Sequence, residues 1–104
     1  MIFISYWELN DGFDPTELTE MAQSLINKKV WPVKDMKEIA WYVSTSDNWG
    51  ITIVEAESEE QMVEMAAMWR IVKPGVFKLL KTTPAMELVK MLPVIMKLGK
   101  RIKG

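Results

Sequence analysis

The chain has 104 residues, of which 49% are hydrophobic and 26% charged, with a formal net charge of −1. That length and composition suit one folded domain burying roughly two thirds of the surface its unfolded chain would expose, and they exclude a disordered segment. Histidine and cysteine are both absent, which excludes Ser-His and Cys-His nucleophile pairs, thiolate or imidazole zinc sites and His-ligated haem, and leaves Asp, Glu, Lys or Tyr for any proton transfer.

Ile2 to Leu9 reads as a strand, with Phe3, Ser5, Trp7 and Leu9 on one side and Ile2, Ile4, Tyr6 and Glu8 on the other, both largely apolar. Asn10-Asp11-Gly12-Phe13 supplies turn chemistry. Asp14-Pro15-Thr16-Glu17 then predicts a helix start with an acid as N-cap, Pro at the first helical position and Glu at the third. Leu18, Met21, Ala22, Leu25 and Ile26 follow at helical spacing as a core face; Lys28 and Lys29 suit the negative end of the helix, and Trp31-Pro32 stops it.

A polar connection through Lys34, Asp35 and Lys37 leads to a hairpin, in which two runs rich in β-branched and aromatic residues flank Thr45-Ser46-Asp47-Asn48. Its first strand divides into Ile39, Trp41, Val43 against Ala40, Tyr42, Ser44, and its second into Trp49, Ile51, Ile53 against Gly50, Thr52, Val54. Ser58-Glu59-Glu60-Gln61 is a capping box for a helix that buries Met62, Met65, Ala66 and Trp69 and ends at Lys73-Pro74-Gly75. Val76 to Thr83 reads as a fourth, shorter strand. Residues 84–104 read as a C-terminal helical extension with the stripe Leu88, Met91, Leu92, Ile95, Leu98 and Ile102, which Pro93 kinks or restarts.

Strand, helix, strand, strand, helix, strand is the order of a ferredoxin-like α+β domain: βαββαβ, a four-stranded antiparallel sheet with two helices on one face, here with an extra C-terminal helix. All of residues 1–104 are expected to form that one domain. Phe3, Trp7, Ala40, Tyr42 and Val54, with Phe77 or Leu80, are assigned to the face without helices. Its footprint, on the order of 300 to 350 Å², is near the largest patch a monomer usually leaves bare. Either the C-terminal helix folds back over it, or a second copy packs sheet to sheet.

The charge is unevenly spread: residues 1–69 hold thirteen acids and four bases, net −9, and residues 70–104 hold nine bases and one acid, net +8. Such a split suits an acidic body with a basic arm for nucleic acid or membrane, or two halves that neutralise each other within a fold or across a dimer. The second reading is preferred, because neither half contains a block of five like charges.

The runs Ile4-Ser5-Tyr6-Trp7-Glu8-Leu9 with Asp14-Pro15, Trp41-Tyr42-Val43, Asp47-Asn48-Trp49-Gly50, Met68-Trp69-Arg70-Ile71-Val72-Lys73-Pro74-Gly75 and Thr83-Pro84-Ala85-Met86 resemble a prokaryotic family classed only as a domain of unknown function. The likeness covers nearly the whole chain. That family is similar to the dimeric α+β barrel superfamily, whose two ferredoxin-like subunits stack sheet on sheet. The resemblance therefore implies a homodimer. It brings no catalytic residues with it.

Trp7, Trp41, Trp49 and Trp69, with Tyr6 and Tyr42, could wall a ligand pocket or serve as core and interface anchors. Trp7 and Tyr42 stand out for the pocket, since their assigned face also holds the hydroxyls of Ser5, Ser44 and Thr52. Arg70 and Lys73 beside Pro74-Gly75, with Lys78 and Lys81 following closely, could hold a carboxylate or phosphate; the preferred reading is that the helix-end cations offset the helix dipole and the alternating lysines of the last strand face water. The acids Glu55, Glu57, Glu59, Glu60 and Glu64 match no calcium-loop spacing and read as a solvated face. Lys90, Lys97, Lys100, Arg101 and Lys103 give the last segment the look of an amphipathic membrane-surface or nucleic-acid helix; the preferred reading is a docked helix whose cations meet the acidic body of its own or a partner subunit.

No phosphate loop, dinucleotide fingerprint or zinc spacing occurs, and no cofactor is expected. The preferred reading is a homodimeric small-molecule-binding domain for an apolar or aromatic ligand, with Tyr6, Trp7, Tyr42 and Trp49 as walls and Arg70 as anchor. The resemblance also implies a cofactor-independent oxygenase or isomerase, in which chemistry would fall to Tyr6, Tyr42, Glu8 or Lys78. A third reading is a structural or protein-interaction module presenting its acidic helices or basic tail. The expected partners are a second copy of the chain and a small apolar ligand, not nucleic acid. No uncharged stretch exceeds the eight residues Ile39 to Ser46, so no membrane span is expected, and with no basic leader the location expected is the cytoplasm.

Overall fold

The structure is a computed structural model that describes residues 1–13 and 15–104. In chain order the elements are β1 (Ile2–Leu9), α1 (Pro15–Asn27), β2 (Lys37–Val43), β3 (Trp49–Glu55), α2 (Glu59–Val72), β4 (Phe77–Ala85) and α3 (Leu88–Lys103). The N-cap role read for Asp14 lies outside the described residues. Where the capping box is read, Gln61 Oε1 accepts the backbone N–H groups of Ser58 at 3.0 Å and Glu57 at 2.7 Å. The α2 helix gives way to β4 at Gly75, whose φ of 79° lies where a side chain would be strained.

The four strands run in the order β2-β3-β1-β4 with every neighbouring pair antiparallel. This is the α+β, ferredoxin-like arrangement expected from the element order. Hairpin geometry follows the turn residues: Ser44 Oγ accepts the N–H groups of Ser46 and Asp47, and Ser44 N–H donates to Trp49 O at 2.9 Å.

Burial decides which face of the sheet the helices cover. Along β1 it alternates strictly, with Phe3, Ser5, Trp7 and Leu9 buried and Ile2, Ile4, Tyr6 and Glu8 half-buried. Phe3 pairs with Val54, Ser5 with Thr52 and Trp7 with Gly50, so these share one face. Leu18 and Leu25 of α1 and Met62, Met65 and Trp69 of α2 join them in the core. The assignment of Phe3, Trp7, Val54, Phe77 and Leu80 to the uncovered face is therefore corrected: these side chains belong to the core or pack against it. Ala40 and Tyr42, paired with Ile53 and Ile51, do lie on the uncovered side.

The physical reason is size matching. The Trp7 indole lies across Gly50, where a Cβ would overlap the ring and approach the Tyr42 carbonyl oxygen to 2.5 Å. A face with glycine and small hydroxyls has room for Trp7 and for the helices above it. The hydroxyls are satisfied there, since Ser5 Oγ and Thr82 Oγ1 share a 2.8 Å hydrogen bond and Trp7 Nε1 donates to Thr52 Oγ1 at 3.2 Å; burying them then costs little.

The fourth strand is also corrected. At nine residues β4 is the longest strand, and Pro84 lies within it opposite Phe3. Because β4 is an edge that pairs only with β1, the donor missing from Pro84 interrupts no second ladder. The last helix, α3, runs unbroken past Pro93 and buries none of its residues. It extends from the body, and the molecule measures 55 × 30 × 20 Å.

Candidate functional site

Two places in the molecule concentrate aromatic side chains, one on each face of the sheet. On the covered face, Trp31, Trp41 and Trp69 form a triangle with ring centroids 5.3, 5.6 and 6.1 Å apart. Trp31 Nε1 donates to Glu38 Oε1 at 3.0 Å. The Trp41 indole nitrogen is buried without a hydrogen-bond partner among the described residues. These rings border a cavity of about 20 Å³, also lined by Ser5, Trp7 and Thr52. That is room for about one water molecule, whereas ligand pockets run to several hundred Å³. The covered face is a filled core.

On the uncovered face the register aligns side chains in rows across the strands. Tyr42 of β2, Ile51 of β3, Tyr6 of β1 and Lys81 of β4 form one row, and Trp49, Glu8 and Leu79 form the next. The Tyr6 and Trp49 rings meet at 6.0 Å between centroids. Tyr6 Oη donates to Glu8 Oε2 at 2.8 Å. This hydrogen bond, reinforced by desolvation and by the nearby charges of Glu8 and Asp47, raises the Tyr6 phenol above its ordinary value of 10.0. Tyr42 is 68% exposed and Trp49 38% exposed. The face thus offers aromatic planes with one carboxylate and one ammonium group within the same two rows.

Of the five residues read from the sequence as a ligand site, Tyr6, Tyr42 and Trp49 come together on this face. Trp7 is 4% exposed under the helices. Arg70 is exposed on α2 and lines a groove with Val63, Ile71, Leu80 and Thr82, on the helix side of the sheet. A cation on the uncovered face is Lys81, which pairs with Tyr6 across β1 and β4. Period-2 counting from Tyr6 does not reach another strand, so only the β1–β4 register could reveal it. Lys78 lies with Glu8, Asp47 and Trp49 around a depression beside the β2–β3 turn.

Among the described residues no cluster of three or more Asp and Glu side chains is placed to hold a metal ion. No helix there is long and apolar enough to cross a membrane.

The sequence matches the family Domain of unknown function (DUF3303) over residues 1–99. No curated protein matches it. Among solved structures, it is similar to a protein of Agrobacterium tumefaciens (Atu4242), with a TM-score of 0.51 and 13% identity over 85% of this chain and 96% of that one. A protein of Streptomyces coelicolor A3(2) (SCO4226) gives a TM-score of 0.49 and 10% identity over 83% of this chain and 99% of that one. At such identity the Agrobacterium likeness supports the fold alone.

Proposed function

The chain belongs to the DUF3303 family, and from that premise we propose that it is a homodimeric small-molecule-binding domain whose ligand lies on the uncovered sheet face, between two stacked copies. The observation that carries this reading is the row Tyr42, Ile51, Tyr6 and Lys81 with Trp49 beside it. Apolar side chains dominate that face, which is why a second copy would cover it. Its polar groups suit a chamber better than a dry core: Lys81 is exposed and Glu8 already holds the Tyr6 hydroxyl. A buried unpaired ammonium would be costly, so the ligand class that fits is a flat or apolar molecule bearing an acid.

Trp7 and Arg70 take no part in this chamber. Tyr6, Tyr42 and Trp49 are its walls and Lys81 its anchor. The test is a thermal-shift and tryptophan-fluorescence screen of aromatic and aliphatic carboxylic acids. At least one acid is expected to raise the melting temperature of the wild type and to lose its effect in Lys81→Met. A screen in which no acid moves either signal would end the ligand proposal.

A further inference from the structure

The α3 helix is amphipathic but packs against nothing on its own subunit that buries it. Leu88, Ile95, Leu98 and Ile102 are between 52% and 74% exposed. At 100° per residue they share one side, while Lys90, Lys97 and Arg101 fall on the other. Among the described residues the ion pairs are Lys73 with Glu17 and an exposed 3.9 Å contact of Lys90 with Glu87. Lys97, Lys100, Arg101 and Lys103 thus meet no acid there. Their counterparts exist, because Glu55, Glu57, Glu59 and Glu60 are all exposed. They cluster where β3 passes into α2, and the pairing of Ile2 with both Glu55 and Ala85 puts them at the end of the sheet from which α3 departs.

Resting on the proposed dimer, we infer that α3 is an exchanged arm: each copy lays it across the other, with its cations toward the acidic end of the partner and its apolar stripe on the rim of the partner's sheet. Area supports this. A four-stranded face about 25 Å long with strands about 4.8 Å apart covers about 500 Å², so two stacked faces bury about 1,000 Å², short of the roughly 1,200–2,000 Å² of stable dimers. An arm about 24 Å long and about 10 Å wide adds about 240 Å² on each of its two contacting surfaces, and two arms bring the total into that range. A two-fold axis along the strands would reverse the order β2-β3-β1-β4 between copies and set β4, which leads into α3, over the partner's β2. On that edge Ile39 is 48% exposed and Tyr42 68% exposed, an apolar landing strip.

The test compares the full chain with Ile95→Asp/Leu98→Asp and, separately, with Ile4→Asp, by sedimentation velocity at micromolar concentration, with circular dichroism to check folding. Neither arm residue is buried in the subunit, so the double variant is expected to stay folded. The wild type should be a dimer and the arm variant should dissociate about 100-fold more readily. A wild-type dimer matched by an equally tight arm variant would overturn the exchanged arm, while loss of the dimer in Ile4→Asp alone would leave the sheet-to-sheet reading standing. A wild-type monomer would overturn both. If that monomer also co-sedimented with phosphatidylglycerol vesicles but not with phosphatidylcholine vesicles, α3 would instead be a lipid-surface helix.

Discussion

Neighbouring residues of β1 meet opposite fates. Trp7 is 4% exposed, its indole N–H held by Thr52 and its ring seated on Gly50; Tyr6 is half-buried on the other side, its hydroxyl held by a carboxylate, beside Lys81 and in one row with an exposed Tyr42 beyond Ile51. On the covered face Ser5, Trp7 and Thr52 are hydrogen-bonded to one another or to Thr82, the Trp31 indole N–H is held by Glu38 and that of Trp41 is buried without a partner among the described residues, beside a cavity of about 20 Å³. The uncovered face keeps charge among its aromatics, which a sealed core would not tolerate unpaired. Aromatic content alone therefore does not mark a site. What separates the faces is room: the covered rings border space for about one water molecule, whereas the uncovered rings stand open in the rows that hold Glu8 and Lys81.

Removing one ring from each face should separate the two faces by the largest margin. Trp69→Ala, on the covered face, which removes one buried corner of the tryptophan triangle, is expected to destabilise the fold by about 3–5 kcal/mol. Tyr42→Ala, on the uncovered face, should change the stability of the subunit by no more than about 0.5 kcal/mol. Guanidinium unfolding at a protein concentration where the chain is monomeric reads both. Equal losses would mean that the uncovered face is packed against something in its own subunit.

A smaller effect is expected where the two faces touch. Gly50→Ala places a methyl group against the Trp7 ring and the Tyr42 carbonyl, and because one of these is backbone the strand must shift. The expected loss is about 1–3 kcal/mol. Trp7→Phe should restore part of it in the double variant, since the smaller ring withdraws from the added methyl; a double variant no better than the sum of the two single changes would show that the clash with backbone dominates.

The same glycine explains what could be read in advance. Element order, the two-residue alternation of β1 and the antiparallel sheet follow from periodicity and turn residues, and the structure has them. Which half of the alternation faces the helices does not follow, because both halves of Ile2 to Leu9 are apolar. The set Trp49, Ile51, Ile53 is greasier than Gly50, Thr52, Val54, yet the mixed set is the one turned inward. Volume complementarity across strands decided it, and that depends on the register Trp7 to Gly50, which one sequence does not state. For the same reason the sequence does not separate Trp7 from Tyr42 or place Lys81 beside Tyr6. Pro84 hides the length of β4, because proline reads as a strand end unless the strand is known to be an edge.

The least disruptive change concerns one hydrogen bond on the uncovered face. Glu8 raises the Tyr6 phenol above 10.0 by accepting its proton in a hydrogen bond, because the neutral phenol donates that bond and the phenolate cannot. A raised folded-state value means that the folded chain binds this proton more tightly than the unfolded one. The associated stabilisation is present below the ordinary tyrosine value of 10.0 and is lost as pH rises through the folded value. Glu8→Gln removes the charge that opposes phenolate formation and weakens the acceptor, so Tyr6 should ionise at lower pH than in the wild type. Phenolate absorbance during an alkaline titration, carried out in a Tyr42→Phe background so that Tyr6 is the one tyrosine left, isolates the change. If Tyr6 titrates identically with and without the Glu8 carboxylate, the two do not act as a pair in solution, and the uncovered face loses a polar contact that holds Tyr6 in its aromatic row.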